Sequence, residues 1–497
     1  MTLSSMTRAL ALLALFLAWV SGAAGAPTPP PAHAPSLNGR PPNFVFILAD
    51  DLGVFDLRCY GRKDHRTPHL DQLAREGTRF TSAYCAQPIC SPSRAAIVSG
   101  VAPAHLHLTT YLPGRADAPS QRVLHPRIVP HLPLERRTVA ECLRDAGYAT
   151  ACIGKWHLGG AGFGPGLQGF DTVHAGRANT TPTADEGSKG EFDLTRRAEE
   201  FIETHRDQPF FLYLAHNSPH IPYAARPEHA AGHAGAFEPV YASVIESLDA
   251  TVGRLLKRLD DLGLRENTLV VFTSDNGGLH VPELRHERVT HNGPFRAGKG
   301  YVYEGGLRIP LLVRWPGRIP AGRVVDDPII NTDWMPTLLD LARVPRQGRP
   351  PTDGMTLAGF LTGTERAPKR LLFWHFPHYT NQGGRPSGAV RDGRWKLIEF
   401  YDTGALELYD LEDDPGELRS VVDRQTRRVR RLARDLEQWR VAMRVQTNAP
   451  NPALDDARFQ ALYVDFDPSR FKPSTASMAE WERVAAWRQG MDTATKE

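Results

Sequence analysis

The sequence predicts an α/β protein: a doubly wound, mostly parallel sheet followed by a smaller C-terminal antiparallel α+β domain. Three observations predict it. Short, continuous apolar runs recur at 43–49, 149–153, 209–215, 268–274 and 309–313, the pattern of strands buried on both faces. Segments with helical spacing alternate with them at 68–77, 138–146, 193–205 and 239–262. From about residue 366 the pattern turns to short strands separated by Gly-containing turns.

Taken in order, residues 1–26 read as a secretory signal. Arg8 supplies the positive charge, residues 9–20 form an apolar run too short to span a bilayer, and Ala24-Gly25-Ala26 is a small-residue cleavage pattern. The mature chain is therefore expected to be exported, to a periplasm or to the outside. Residues 27–42, rich in Pro and Ala, read as a flexible linker. Residues 43–365 form the expected large domain. Its opening strand is followed by a helix that begins at Pro68, a proline suited to a first turn, and by a strand at 78–84. Gly147 ends the helix at 138–146, and Gly263 ends the long amphipathic helix at 239–262. Residues 366–446 form the smaller domain, with strands at 370–376, 388–391, 395–400 and 406–409 and a charged helix at 417–444. Residues 447–497 read as a polar tail with a helix near 478–489.

Charge excludes some partners. With 59 basic and 56 acidic residues and a net charge of +3, nothing calls for nucleic acid or an anionic membrane. No later stretch is apolar enough to span a bilayer. Only nine of the basic residues are lysines, and two of these, Lys155 and Lys299, stand in Gly-Lys pairs. A lysine is a compact point charge that an arginine fork does not replace in a tight anion pocket. The five cysteines, Cys59, Cys85, Cys90, Cys142 and Cys152, are too few for a disulfide framework in an exported chain of this length.

In doubly wound sheets ligands bind beyond the carboxyl ends of the strands. Asp50-Asp51 follows the first strand, Lys155 and His157 follow the strand at 149–153, His220 follows that at 209–215, and Asp275-Asn276 follows that at 268–274. These clusters should gather on one sheet edge. Adjacent carboxylates repel unless a cation holds them, and oxygen donors alone suit Ca²⁺ or Mg²⁺. Asp pairs are also common in loops that hold no ion. In Pro88-Ile89-Cys90-Ser91-Pro92-Ser93-Arg94, Pro92 fits the first turn of a helix, so Cys90 would sit at a helix N-terminus, where anionic species are favoured. As a plain thiol it is either a nucleophile or a buried structural cysteine.

Five motifs, in order from about residue 43 to 320, resemble the sulfatase family: NFVFILADDLG, CSPSR, GYATACIGKWHLG, TSDNGG and GPFRAGKGYVYEGGLRIPLLVRWPG. The stretch WKLIEFYDTGALELYDLEDDPGE is similar to the family's smaller domain. The resemblance implies an alkaline-phosphatase-like large domain and hydrolysis of sulfate monoesters. It implies that a formylglycine-generating enzyme oxidises Cys90 to 3-oxoalanine (formylglycine), directed by the C-x-P-x-R context. It also implies one Ca²⁺ held by Asp50, Asp51, Asp275 and Asn276 with residue 90, and Arg94 steadying both. Lys155, His220 and Lys299 would grip the sulfate and its bridging oxygen, and His157 would serve the hydrated aldehyde. His291 and His375 are expected substrate contacts. The wording is closest to members that act on N-acetylgalactosamine 6-sulfate or aryl sulfates, so a sulfated carbohydrate is the expected substrate. One departure, Val54-Phe55-Asp56 in place of the family's usual aromatic and Gly-Asp, leaves the metal ligands untouched. Two other readings are a phosphoester hydrolase of the same superfamily, which would need more histidines at the strand ends, and a non-catalytic binder of sulfated glycans. Asn179-Thr180-Thr181 is a glycosylation sequon.

Overall fold

Strand β1 (Asn43–Asp50) is buried along its whole length. Its alternate residues feed two apolar layers. Phe44, Phe46 and Leu48 join Tyr148, Tyr213 and Trp334 on one face, and Val45, Ile47 and Ala49 join Leu248, Val252 and Leu255 on the other. A strand covered on both sides needs apolar residues at every position, and this is why it reads as a continuous run. The computed structural model describes residues 39–494 except 178 and 285. The expected leader at 1–26 and the linker as far as residue 38 lie outside the described residues.

The other strands are β2 (Thr78–Tyr84), β3 (Val123–Leu124), β4 (Ala149–Gly154), β5 (Thr172–His174), β6 (Phe210–Pro219), β7 (Thr268–Ser274), β8 (Arg308–Arg314), β9 (Arg323–Val325), β10 (Ile329–Ile330), β11 (Leu372–Phe376), β12 (Ser387–Asp392), β13 (Trp395–Phe400), β14 (Leu406–Asp410) and β15 (Ala449–Pro450). The main helices are α1 (Pro68–Glu76), α2 (Cys90–Ser99), α3 (Val139–Asp145), α4 (Glu191–Thr204), α5 (Pro239–Asp261), α6 (Trp334–Leu341), α7 (Thr426–Met443) and α8 (Met478–Ala494). Local chemistry marks their ends. Thr138 and Glu141 form a capping box on α3, and Gly100, at φ 66°, closes α2.

The large sheet has nine strands in the order β10-β2-β8-β7-β1-β6-β4-β5, with β9 also against β2. β7, β1, β6, β4 and β5 run parallel, as the sequence predicts. β8 runs antiparallel to both β7 and β2. It therefore starts at the edge where β7 and β2 finish. The segment before β8, which carries Lys299, reaches the same edge as the segments that follow β1, β2, β4, β6 and β7. A smaller four-stranded antiparallel sheet, β11-β12-β13-β14, follows in chain order. α7 covers it with Leu432 and Leu436 against Val390, Leu397 and Leu408.

Three segments differ from the sequence reading. β6 runs on to Pro219 past a register shift, with Asp50 opposite Pro219. The helix expected at 417–444 begins only at Thr426. Asp414 takes the amides of Leu418 and Arg419, and the Glu417 carboxylate is drawn inward to the amide of Glu304 at 2.6 Å. In the segment 447–497, Phe459, Tyr463, Val484, Trp487 and Met491 are buried in the apolar layer that also holds α5 residues. Val484, Trp487 and Met491 keep helical spacing on α8, whereas Phe459 and Tyr463 come from short helical turns that show no period of their own. Among the described residues no helix is long and apolar enough to cross a membrane.

Candidate active site

The site lies on the edge where β1, β4, β6 and β7 end. Successive strand residues point to opposite faces, so Asp50 and Asp51 would diverge in a regular strand. The chain instead turns at Asp51, at φ 65°. The turn is held by the Asp51 amide donating to Asp275 Oδ1 at 3.1 Å and the Leu52 amide donating to Ser274 Oγ at 3.0 Å. Asn276 Nδ2 then donates to Asp51 Oδ1 at 2.8 Å. Single ligand atoms of Asp50, Asp51, Cys90 and His220 fall within 4.8 Å of one another.

Cys90 begins α2, all of whose residues are buried. Its Sγ stands 3.6 Å from Asp50 Oδ1 and 3.7 Å from Asp51 Oδ1. One turn later Arg94 donates from Nε to Asp275 Oδ2 at 2.8 Å, stands 3.4 Å from Asp50 Oδ1 through Nη2, and donates from Nη1 to the Lys155 carbonyl at 2.9 Å. Lys155 Nζ meets Asp50 Oδ2, and Lys299 Nζ meets Asp51 Oδ2, each at 2.6 Å. Lys155 is delivered by Gly154. At φ 104°, a Cβ on Gly154 would lie 1.9 Å from the Ala215 carbonyl oxygen, the same oxygen that accepts the Lys155 amide at 2.8 Å.

Both histidines have readable tautomers. Lys299 Nζ, a donor, lies 3.1 Å from His220 Nε2, while His220 Nδ1 faces the Ile221 carbonyl. His220 thus carries its hydrogen on Nδ1 and accepts on Nε2. Burial, followed by the Lys299 charge, holds its pKa down to about 4. His157 donates from Nε2 to the Leu112 carbonyl at 2.9 Å, which leaves Nδ1 a lone-pair acceptor, buried and without a partner. Burial and the neighbouring Lys155 bring its pKa to about 3.

Three carboxylates, Asp50, Asp51 and Asp275, are enclosed with three cationic groups. Burial opposes ionisation of Asp50, but Lys155, His220, Arg94 and Lys299 together hold it well below the carboxylate range. Asp275 goes the other way, to about 7, because burial and the charges of Asp50 and Asp51 outweigh Arg94. A hard cation fits this donor set. Asp50, Asp51, Asp275 and Asn276 present oxygen, Asn276 Oδ1 is buried with no partner, and the carboxylates repel one another.

A cavity of about 500 Å³ opens above these groups, lined by Cys90, Lys155, His157, His220 and Lys299 together with Tyr111, Asn217 and Glu283. Sequence reasoning missed the last three. Asn179, read as a sequon, sends Nδ2 to Asp50 Oδ2 at 3.2 Å. Asn217 lies on β6, three residues before His220; the other three lie in loops without periodicity. His291 and His375, expected as substrate contacts, do not line this cavity. His291 packs edge-on against Phe237, and both ring nitrogens of His375 are engaged, by the Tyr401 hydroxyl at 2.8 Å and the Gln446 carbonyl at 2.9 Å.

The fold and this edge of clustered carboxylates, ammoniums and imidazoles define a hydrolase that handles an anionic ester. The sulfatase family profile matches residues 42–344, and the profile of the N-sulphoglucosamine sulphohydrolase C-terminal region matches residues 295–444. Human arylsulfatase A is 37% identical over 443 residues, covering 76% of this chain and 83% of that protein. N-acetylgalactosamine-6-O-sulfatase of Bacteroides thetaiotaomicron is 29% identical, covering 80% of this chain and 93% of its own length. Among solved structures, Ps i-CgsB in complex with k-i-k-neocarrahexaose superposes with a TM-score of 0.70 at 26% identity, over 92% of this chain and 100% of that one. The chain belongs to the sulfatase family and is a sulfuric ester hydrolase.

Proposed function

We propose that this sulfatase removes sulfate monoesters from carbohydrates after export, with residue 90 working as 3-oxoalanine and one Ca²⁺ held by Asp50, Asp51, Asp275 and Asn276. The observation that carries this reading is the enclosure of Cys90 by two carboxylates, at 3.6 and 3.7 Å, inside a pocket that also holds Lys155, Lys299, His157 and His220. Of the two relatives above, one is named for a sulfated sugar and one for aryl sulfates, and the neighbour above was solved in complex with k-i-k-neocarrahexaose. The residue-90 aldehyde hydrate would supply paired hydroxyls, one to attack sulfur and one to release sulfate afterwards, and Ca²⁺ would supply positive charge beside it.

The chain's own groups supply the rest. Lys155 and Lys299 neutralise the sulfate oxygens in a pocket where water screening is weak. The Lys299–His220 pair holds the proton that the departing alcohol oxygen needs; the proton resides on Lys299, since His220 Nε2 accepts from it at 3.1 Å. His157 Nδ1, an acceptor with no partner, takes the proton given up when sulfate is released. Arg94 locks Asp275 and Asp50 in place.

Mass spectrometry of the tryptic peptide 80–94 from the natural host tests the modification. The expected result is loss of one sulfur and two hydrogens and gain of one oxygen at residue 90, together with sulfate release from N-acetylgalactosamine 6-sulfate. A wholly unmodified cysteine in fully active enzyme would overturn the reading.

A further inference from the structure

A second cleft of about 600 Å³ adjoins the catalytic pocket, and Arg177 lines both. Its position is built into the fold. The Arg177 carbonyl accepts from Asn217 Nδ2 at 3.2 Å, and Asn217 is itself a pocket residue. The arginine stem crosses Gly190, at φ 83°, where a Cβ would stand 3.2 Å from Arg177 Cδ. Among the described residues the guanidinium has no ion-pair or hydrogen-bond partner. The other two arginines of the cleft are neutralised, Arg196 by Asp193 and Glu200, and Arg254 by Glu199 at 2.7 Å. Glu186 also lines the cleft without pairing to Arg177, and Glu283 on the pocket rim is taken by Gln382 Nε2 at 2.6 Å. Arg177 is thus an uncompensated cation held at the passage between the two spaces.

We propose that Arg177 binds a second anionic group, a carboxylate or a sulfate, on the sugar next to the one that loses its sulfate. The preferred substrate is then a polyanionic glycan rather than a singly sulfated sugar. A sulfated ring held by Lys155 and Lys299 directs a linked neighbour toward the rim, where Arg177 and the adjoining cleft lie. A planar guanidinium fork matches the paired oxygens of carboxylate or sulfate, and binding there displaces no existing partner. This inference rests on the carbohydrate reading above.

Wild type and Arg177→Gln are compared on nitrophenyl sulfate, on N-acetylgalactosamine 6-sulfate, and on that sugar linked either to glucuronate or to a sulfated galactose. The wild type is expected to prefer at least one disaccharide over the monosaccharide by about tenfold in kcat/KM, expressed in KM. Arg177→Gln should erase that preference and Arg177→Lys should restore part of it. Which disaccharide is preferred identifies carboxylate or sulfate as the second anion. A wild type without the preference, or a preference that survives in Arg177→Gln, overturns the assignment of Arg177 while leaving the carbohydrate reading intact. Turnover of nitrophenyl sulfate with none of either sugar class overturns both.

Discussion

The Cys90 thiol sits among buried carboxylates and ammoniums, and burial pushes it well above the thiol range against the opposing pull of Lys155 and Lys299. A thiol held neutral is a weak nucleophile, so the pocket suits a residue 90 that no longer depends on sulfur. Replacing Cys90 with Ala should lower kcat/KM on nitrophenyl sulfate by about a thousandfold or more while leaving the thermal midpoint within a few degrees. Asn276 makes the complementary case, because its Oδ1 is the donor atom left unpaired. Chelation by EGTA should abolish activity and Ca²⁺ should restore it, whereas Asn276→Ala should need a higher Ca²⁺ concentration for the same rate. Activity indifferent to both treatments would sink the metal assignment.

Helix α1 shows how distant residues finish an element. Its first amides are satisfied by the Asp249 carboxylate on α5, which accepts from His69 at 3.2 Å and Leu70 at 2.8 Å. A side chain about 180 positions away thus does the work of a local cap. Asp249→Ala should cost about 1–2 kcal/mol in chemical denaturation. Burial brings the Asp249 carboxyl up to about 7. Between about pH 4, where the unfolded chain releases this proton, and pH 7, the native form still holds it, so its contribution to stability falls as pH rises. The amide in Asp249→Asn stays neutral throughout. From pH 7 to pH 4.5, the thermal midpoint of the wild type should therefore rise relative to that of Asp249→Asn.

The two sheets are joined by buried ion pairs next to the segment that carries Lys299. Lys396 on β13 is wholly buried between Glu304 Oε1 and Glu417 Oε1, at 2.9 Å from each. Glu304 also binds the Tyr84 hydroxyl at 2.6 Å and Arg308 at 2.7 Å. Arg296, three residues before Lys299, reaches the Tyr409 hydroxyl at 3.0 Å and Ser469 Oγ at 2.7 Å, and so ties the lysine segment to the smaller sheet and to the C-terminal segment. Removing Lys396 leaves the buried Glu417 carboxylate without a cation and Glu304 with Arg308 alone. Lys396→Met should destabilise the whole molecule by about 3–5 kcal/mol in urea unfolding. It should also raise KM for sulfate esters in the protein that remains folded, because Lys299 loses its support. Unchanged stability would show that the network does not couple the sheets.

Much of the site was legible in the sequence because its groups follow strands that sequence alone makes recognisable. Continuous apolar runs mark buried parallel strands, and Asp50, Asp51, Lys155, His157, Asp275 and Asn276 stand where those runs stop. Cys90 and Arg94 were legible through one helical turn. Lys299 was recognised by motif, but why it meets Asp51 was decided by β8, whose reversed direction brings the preceding segment to the same edge. Tyr111, Arg177, Asn179 and Glu283 sit in loops with no periodicity, so only the fold could assemble them at the pocket. The same holds for the histidines that were misplaced: nothing in sequence reveals that Tyr401 and the Gln446 carbonyl occupy both nitrogens of His375. By itself, then, the sequence determined the strand pattern, which polar residues stand at the strand ends, and the family. The tertiary structure decided which loop residues shape the pocket, because that depends on contacts between segments with no shared pattern.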